Sequence, residues 1–111
     1  MSHTPKCDAA LRRLASDAPK TSKAPLHLIP FDALGEVAHV FQVGAEKYAP
    51  NDWKNKDNGG GAHHAAALRH LGAFCDGEAL DAESRRHHLA HAAARCLMQL
   101  WKEMNRDRQS C

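Results

Sequence analysis

Apolar residues recur at helical spacing in three separate segments of the chain. The first segment covers residues 31–48, and the second covers Ala62–Cys75. The third begins at Asp81 or Ser84, either of which suits an N-cap, and continues to about residue 105. The apolar positions of the first segment are Leu34, Val37, Ala38, Phe41, Ala45 and Tyr48. The pattern predicts an all-α fold, a small bundle with three main helices.

The remaining segments contain the residues that interrupt helices. Residues 1–25 hold three prolines among polar side chains and predict a flexible N-terminal arm, or one laid across a partner. Residues 49–61 contain Pro50 and three consecutive glycines, which predicts a loop. Residues 106–111 are expected to fray. One helical domain over residues 26–105 is therefore expected.

The first helix carries a second stripe on another side. At about 100° per residue, this stripe holds Glu36, Val40, Val43 and Lys47. Two valines predict that this side is covered as well, which would place Glu36 beside a buried surface. A carboxylate in such a place is expected to be paired or bound to a cation. The alternative is that the valines border an ordinary solvated face.

The second and third helices each combine an apolar side with a histidine side. The apolar positions are Leu68, Leu71 and Cys75 in the second helix, and Leu89, Ala93, Cys96, Leu97, Leu100 and Met104 in the third. A helix with this much small, uncharged surface beside a histidine side is expected to be contacted on two sides. A homodimer or homotetramer would supply the second contact. Cys75 and Cys96 are expected to be small core residues.

Composition narrows the class of protein. Alanine supplies much of the 43% hydrophobic fraction, and aromatic residues make up only 5%, which favours close-packed helices over a sheet sandwich. A formal net charge of +2 is too small to indicate bulk nucleic-acid binding. The four cysteines form no C-x-x-C pair, and no stretch resembles a secretion signal or a membrane span. A cytoplasmic protein without a membrane partner is expected.

Histidine and carboxylate residues concentrate between residues 62 and 96, where six of the nine histidines lie. His88 and His91 are three positions apart, so both can reach one metal ion, and His70 can complete the set. The candidate metal ligands are Glu36, His70, Asp81, His88 and His91, and the candidate catalytic carboxylates are Glu36, Glu78 and Asp81. The expected ion is Mg²⁺ or Mn²⁺, with Co²⁺ or Zn²⁺ as alternatives. His70 could instead be a hydrogen-bonded core histidine, and Glu78 and Asp81 could cap a loop or helix.

Basic and aromatic residues surround the same region. The candidate phosphate-binding residues are Lys47, Lys54, Arg69 and Arg95, and the candidate base-binding residues are Tyr48 and Trp53. A metal ion, several cations and the absence of a nucleophile motif together suggest attack of water on a phosphoanhydride. A plain flexible loop is the alternative for residues 48–61.

Several sequence blocks occur in a fixed order that resembles a phage-associated family. They read L-x-L-I-P-x-x-A-L-x-x-V-A at 26–38, G-A-x-K-Y at 44–48, R-H-L-x-A at 69–73, G-E-x-x-D-x-E-S at 77–84 and H-L-A-H-A at 88–92. The blocks resemble the N-terminal domain family of dATP/dGTP diphosphohydrolases. In size and helical make-up, that family is similar to the all-α, MazG-like nucleotide pyrophosphohydrolases. Of the paired acidic motifs of MazG-like enzymes, only Glu78-x-x-Asp81 is present.

The resemblance implies a specific activity. It implies an oligomeric helical bundle that binds a divalent cation and cleaves a purine dNTP to dNMP and pyrophosphate. The matched positions that could carry this activity are Glu36, Lys47, Arg69, His70, Glu78, Asp81, Glu83, His88 and His91. Two alternatives remain at this point: a non-catalytic protein that sequesters a nucleotide or a nucleotide-derived signal, and a structural bundle whose histidines only pack.

Overall fold

The computed structural model describes residues 23–55 and 62–106. These ranges contain three α-helices, which are α1 (Phe31–Lys47), α2 (Ala62–Cys75) and α3 (His88–Met104). Two 3₁₀ turns, Leu26–Leu28 and Asp52–Lys54, precede and follow α1. The described ranges hold no strand beyond an isolated bridge between Leu80 and His87. The prediction of an all-α bundle with three main helices is confirmed.

Several predicted features lie outside the described residues. They include most of the N-terminal arm of residues 1–25, the glycine run at 59–61 and the tail beyond residue 106. Within the described ranges, no helix is both long enough and apolar enough to cross a membrane.

The third helix occupies the centre of the bundle, and it packs against α2 on one side and α1 on the other. Val40, Ala90 and Ala94 form the buried core between α1 and α3, with Val37, Phe41 and Met98 packed around them. Val40 belongs to the second stripe predicted for α1, so that side of the helix is covered. Between α2 and α3 the buried apolar residues include Ala66, Ala67 and Ala92. Side chains this small let the two helices approach closely.

The predicted start of the third helix was wrong, because α3 begins at His88 rather than near Asp81 or Ser84. Asp81 does accept a hydrogen bond from the Ser84 backbone N–H at 2.8 Å, but the turn it caps is closed by the Arg85 N–H on the Asp81 carbonyl. Arg85 then has a φ of 64°, in the left-handed region that ends a helical turn. His87 is the N-cap of α3, and its ring accepts from the Leu89 backbone N–H.

The segment between α2 and α3 is closed onto itself by its own backbone. The Asp81 N–H donates to the Arg86 carbonyl at 2.8 Å, and the His88 N–H donates to the Ala79 carbonyl at 2.8 Å. These two bonds lie at the Leu80–His87 bridge and bring both ends of the loop together. The loop therefore presents its acidic residues directly beside the first turn of α3.

The expectation that Cys75 and Cys96 are core residues was wrong, because both thiols are exposed. Cys96 lies on an outward side of α3, together with Leu89, Leu97, Leu100 and Met104, all exposed. The side of α3 that faces α2 instead carries alanine and histidine. A helix pair built on small side chains leaves the larger apolar residues pointing outward.

Candidate metal centre between α2 and α3

Two histidines meet where the middle of α2 crosses the first residue of α3. The Nδ1 atoms of His70 and His88 are 2.8 Å apart. The other ring nitrogen of His88, Nε2, lies 2.6 Å from a carboxylate oxygen of Glu78. His88 is only 4% exposed, whereas the Glu78 side chain is 58% exposed. The Glu78 carboxylate fixes the proton of His88 on Nε2, because an ionised carboxylate can only accept.

The remaining groups of the centre come from the loop and from the next turn of α3. His91 stacks on His70 with ring centroids 4.4 Å apart and planes inclined by 8°. The Ser84 hydroxyl lies 2.6 Å from His91 Nε2 and also accepts the Arg86 backbone N–H at 3.1 Å. An Asp81 carboxylate oxygen lies 3.9 Å from His91 Nε2. Asp81, Ser84 and His91 therefore form one connected group beside the His70–His88 contact.

The donor set of His70, Asp81 and His88 fits a divalent cation. Each residue offers one ligand atom, and these atoms all lie within 4.8 Å of one another. Neighbouring ligands of an octahedral ion with bonds of about 2.1 Å are about 3.0 Å apart, close to the 2.8 Å between the two imidazole nitrogens. The Glu78 contact also matches the outer carboxylate that commonly receives the second N–H of a metal-binding histidine. Glu78 therefore contacts the outer nitrogen of His88, and its predicted catalytic role stays a prediction.

At His70, His91 and Asp81 the pKa shifts favour the protonation states that a metal ligand needs. Burial lowers the pKa of His70, and the neighbouring His91 and His88 lower it further. Burial also lowers the pKa of His91, although Asp81 opposes that shift. Burial tends to raise the pKa of Asp81, but hydrogen bonds from Ser84 and the nearby His91 outweigh it, so that pKa is lowered overall. Neutral imidazoles and an ionised carboxylate are the binding forms of these groups.

Glu36 lies next to the centre without joining it. One of its oxygens accepts from the Arg86 guanidinium at 3.0 Å, and the other accepts from the His87 backbone N–H at 3.5 Å. The sequence-based expectation that this carboxylate is paired or cation-bound is met by Arg86. Glu36 ties α1 to the loop that precedes α3, and a metal or catalytic role for it stays a prediction.

The candidate phosphate-binding residues are spread over the surface of the bundle. Lys47 pairs with Glu83 at 3.3 Å, and Glu83 raises the pKa of that exposed amine. Arg69 is exposed on α2, one position before His70. Lys54 lies over the rings of Trp53 and Trp101. Arg95 contacts His63 at 3.2 Å, two helical turns from His70. Of these residues, Arg69 is the sequence neighbour of His70, and Lys47 contacts Glu83 in the loop before α3.

The two candidate base-binding aromatics differ in exposure. Trp53 packs edge to face against Phe41 at 6.0 Å and against Trp101 at 5.3 Å, so it pins the Asp52–Lys54 turn onto α1 and α3. Tyr48 is 61% exposed at the end of α1, with Lys47 over its ring. A base contact by either ring stays a prediction.

Sequence reasoning missed three residues of this region. Ser84 was considered only as a cap, although the Asp81-x-x-Ser84 spacing already placed its hydroxyl near an acidic group. Arg86 gave no separate signal, because Arg85 beside it has the same chemistry and only the backbone geometry separates the two. His63 lies seven residues before His70 on the same side of α2, but its burial and its contact with Arg95 depend on how α2 and α3 cross.

Comparison with known proteins gives one result. No curated protein and no solved structure matches the chain. A family model described as dATP/dGTP diphosphohydrolase, N-terminal, matches residues 14–110, which is most of the chain. The match includes every residue of the His70, Asp81 and His88 set. This chain therefore belongs to the dATP/dGTP diphosphohydrolase N-terminal family.

Proposed function

We propose that this chain is a metal-dependent nucleotide pyrophosphohydrolase that cleaves purine dNTPs to dNMP and pyrophosphate. The observation that carries the proposal is the set formed by His70, Asp81 and His88, with Glu78 on the outer nitrogen of His88. The family name points to the same class of reaction. In that reaction an oxygen of water bonds to the α-phosphorus, the bond to the bridging oxygen breaks, and pyrophosphate leaves.

Each residue of the centre has a separate task in this proposal. His70, Asp81 and His88 would hold a divalent ion, and the two imidazole nitrogens favour Mn²⁺ over Mg²⁺. When bound, the ion supplies positive charge that polarises the phosphate oxygens. His91, neutral and held by the Ser84 hydroxyl, can accept a proton from the attacking water once that hydroxyl turns away. Lys47 and Arg69 would hold the phosphate chain from the rim.

Pyrophosphate release tests the proposal directly. We expect purified protein without a histidine tag to release pyrophosphate from dATP or dGTP in the presence of Mn²⁺. Replacing a ligand in His70→Ala or His88→Ala should lower that release by about 100-fold or more, because the ion is no longer held. His27→Ala, at an exposed histidine far from the centre, serves as the matched control. Circular dichroism checks that each variant is folded.

A non-catalytic nucleotide-binding protein is the second candidate, because the two helices that meet at the centre carry few acidic residues. In α2 there are none, and in α3 the only one is Glu103. A set with one carboxylate supplies less negative charge to a metal cluster than the paired acidic motifs of MazG-like enzymes. Binding of dATP or dGTP with no pyrophosphate would favour this second function. If the protein neither binds these nucleotides nor releases pyrophosphate, both candidate functions are contradicted.

We also infer that a second copy of the chain covers the outward apolar side of α3. That side holds Leu89, Cys96, Leu97, Leu100 and Met104, and Leu68 and Leu71 are exposed on the adjoining side of α2. All of them are exposed, and a large contiguous apolar patch commonly marks an interaction surface. An antiparallel α2–α3 pair with an apolar side is half of a four-helix bundle, and a two-fold copy supplies the other half.

A further inference from the structure

A groove of about 210 Å³ runs between α2 and α3, away from the metal centre. Its lining includes His63 from α2 and Arg95, Cys96, Gln99, Leu100 and Glu103 from α3. None of the roles proposed above needs His63, Gln99 or Glu103. The lining combines hydrogen-bond donors, a carboxylate and apolar walls within one small space.

The donors of the groove are His63 and Arg95. An Arg95 N–H lies 3.2 Å from His63 Nδ1, and arginine can only donate, so Nδ1 accepts and the ring proton is on Nε2. His63 is 3% exposed, and among the described residues its buried Nε2 has no hydrogen-bond partner. A buried donor without an acceptor is costly, so a ligand acceptor that reaches Nε2 would relieve this cost. Arg95 has further N–H groups for the same ligand.

The acceptor of the groove is Glu103. Its Oε2 accepts from Gln99 Nε2 at 2.9 Å and from the Arg106 guanidinium. A carboxylate has about four acceptor positions, so capacity remains for a ligand N–H. Leu100 and Cys96 supply an apolar wall beside these polar groups. A phosphate group would be repelled by Glu103 and would gain nothing from that wall.

We propose that this groove binds a guanine base. Guanine presents two neighbouring acceptors, O6 and N7, and arginine commonly binds both at once. Its N1–H and N2–H₂ groups are donors on the adjacent edge, where Glu103 can accept. Adenine has an amino donor in place of O6 and lacks the N2 amino group, so it would set a donor against His63 and Arg95 and offer no N–H to Glu103 on the adjacent edge. The arrangement of donors and acceptor therefore selects guanine.

The groove and the metal centre lie along the same pair of helices. His63 and His70 are seven residues apart on one side of α2, a rise of about 10 Å. The inference rests on the proposed function in one respect: the guanine would belong to the dGTP whose phosphates meet the metal centre. Trp53 offers less as a base site, because its ring is already packed against Phe41 and Trp101.

Calorimetric titration with dGMP and dAMP in metal-free buffer tests the groove without any turnover. We expect the wild-type chain to bind dGMP about tenfold or more tightly than dAMP, as a site that hydrogen-bonds one base and not the other should. Arg95→Met should remove that preference, and Glu103→Gln, which keeps a neutral acceptor but loses the charge, should reduce it. Glu46→Gln, an exposed carboxylate on α1, is the matched control and should keep it. Thermal melting identifies any variant that fails to fold. If Arg95→Met does not fold, the result for Glu103→Gln alone decides whether the groove selects guanine.

The outcomes separate this inference from the proposed activity. Equal affinity for both nucleotides, no binding of dGMP, or an undiminished preference in folded Glu103→Gln would overturn the guanine site. Selective dGMP binding without pyrophosphate release from any dNTP would leave the groove assigned and remove the enzymatic proposal. Turnover of dATP and dGTP at equal efficiency, with no selective dGMP binding, would support the enzymatic proposal and remove the guanine site.

Discussion

At the scale of single residues, neighbours determine what each histidine can do. His88 donates to Glu78 and keeps Nδ1 for His70, whereas His91 has its Nε2 against Ser84. His63 accepts from Arg95 through Nδ1 and keeps a buried donor. Four imidazoles with the same chemistry therefore offer a ligand, a proton acceptor or a donor according to their partner.

The Glu78–His88 contact makes a prediction about metal affinity. Glu78→Gln keeps a side-chain acceptor for the His88 N–H but removes the negative charge that makes His88 a better ligand. We expect Mn²⁺ binding to weaken by about tenfold, within the usual range for an outer carboxylate. Calorimetric titration of metal-free protein measures the change, with Glu46→Gln as the control. An unchanged dissociation constant would show that Glu78 does not act through His88.

At the scale of helices, α1 is linked to the site by the Glu36–Arg86 ion pair. Both side chains are about one third exposed, so solvent screens the pair and its contribution is modest. In a double-mutant cycle with Glu36→Gln and Arg86→Met, we expect a coupling energy of about 0.5–1 kcal/mol from urea unfolding. A coupling energy near zero would mean that α1 is positioned by Val40 and its apolar neighbours alone.

The outward side of α3 makes a prediction about assembly. Leu97→Lys places a charge in the centre of the apolar side, where a second copy would have to bury it. We expect this variant to be monomeric at concentrations where the wild type sediments as a dimer or tetramer. Leu26→Lys is the control, since Leu26 is at least as exposed, at 58% against 43%, but lies in the first 3₁₀ turn.

Analytical ultracentrifugation distinguishes the outcomes. A wild-type protein that sediments as a monomer at all concentrations contradicts the second-copy proposal. Oligomers of equal stability in both lysine variants would place the interface on another surface of the bundle.

At the scale of the whole molecule, buried histidines couple stability to pH. Burial lowers the pKa of His63, His70 and His91 below the ordinary value of 6.5. The unfolded chain therefore takes up more protons than the folded protein as the pH falls below about 6.5. The free energy of unfolding should decrease over this range and level off below the folded pKa values. Above pH 6.5 these residues are neutral in both states and add no pH dependence.

The His63→Gln variant isolates one of these groups. Because glutamine does not titrate, we expect its free energy of unfolding to fall less steeply between pH 7 and pH 5 than that of the wild type. Urea unfolding at several pH values measures both slopes. Ala66→Gly is a suitable control, since it should weaken α2 equally at every pH. Parallel curves for His63→Gln and the wild type would mean that His63 does not contribute to acid sensitivity.

Much of the fold followed from the order of residues alone. Helical periodicity located α1 and α2 and the body of α3, because that spacing depends only on local geometry. The start of α3 did not follow, since Asp81 is a good cap and only the left-handed backbone at Arg85 ends the turn it begins. The predicted apolar stripes of α2 and α3 are largely exposed, because which side of a helix becomes core depends on which helices meet.

For the candidate site too, some features followed from the sequence and others only from the tertiary structure. Sequence identified His70, Asp81 and His88 as candidates, because they are recognisable by type and spacing. Tertiary structure decided which candidate residues lie together. His70 lies against His88, Glu36 pairs with Arg86, and Arg95 contacts His63 in a separate groove. The physical reason is that residue type and helical side are local properties, whereas a metal set or a base site needs atoms from separate elements within a few ångströms.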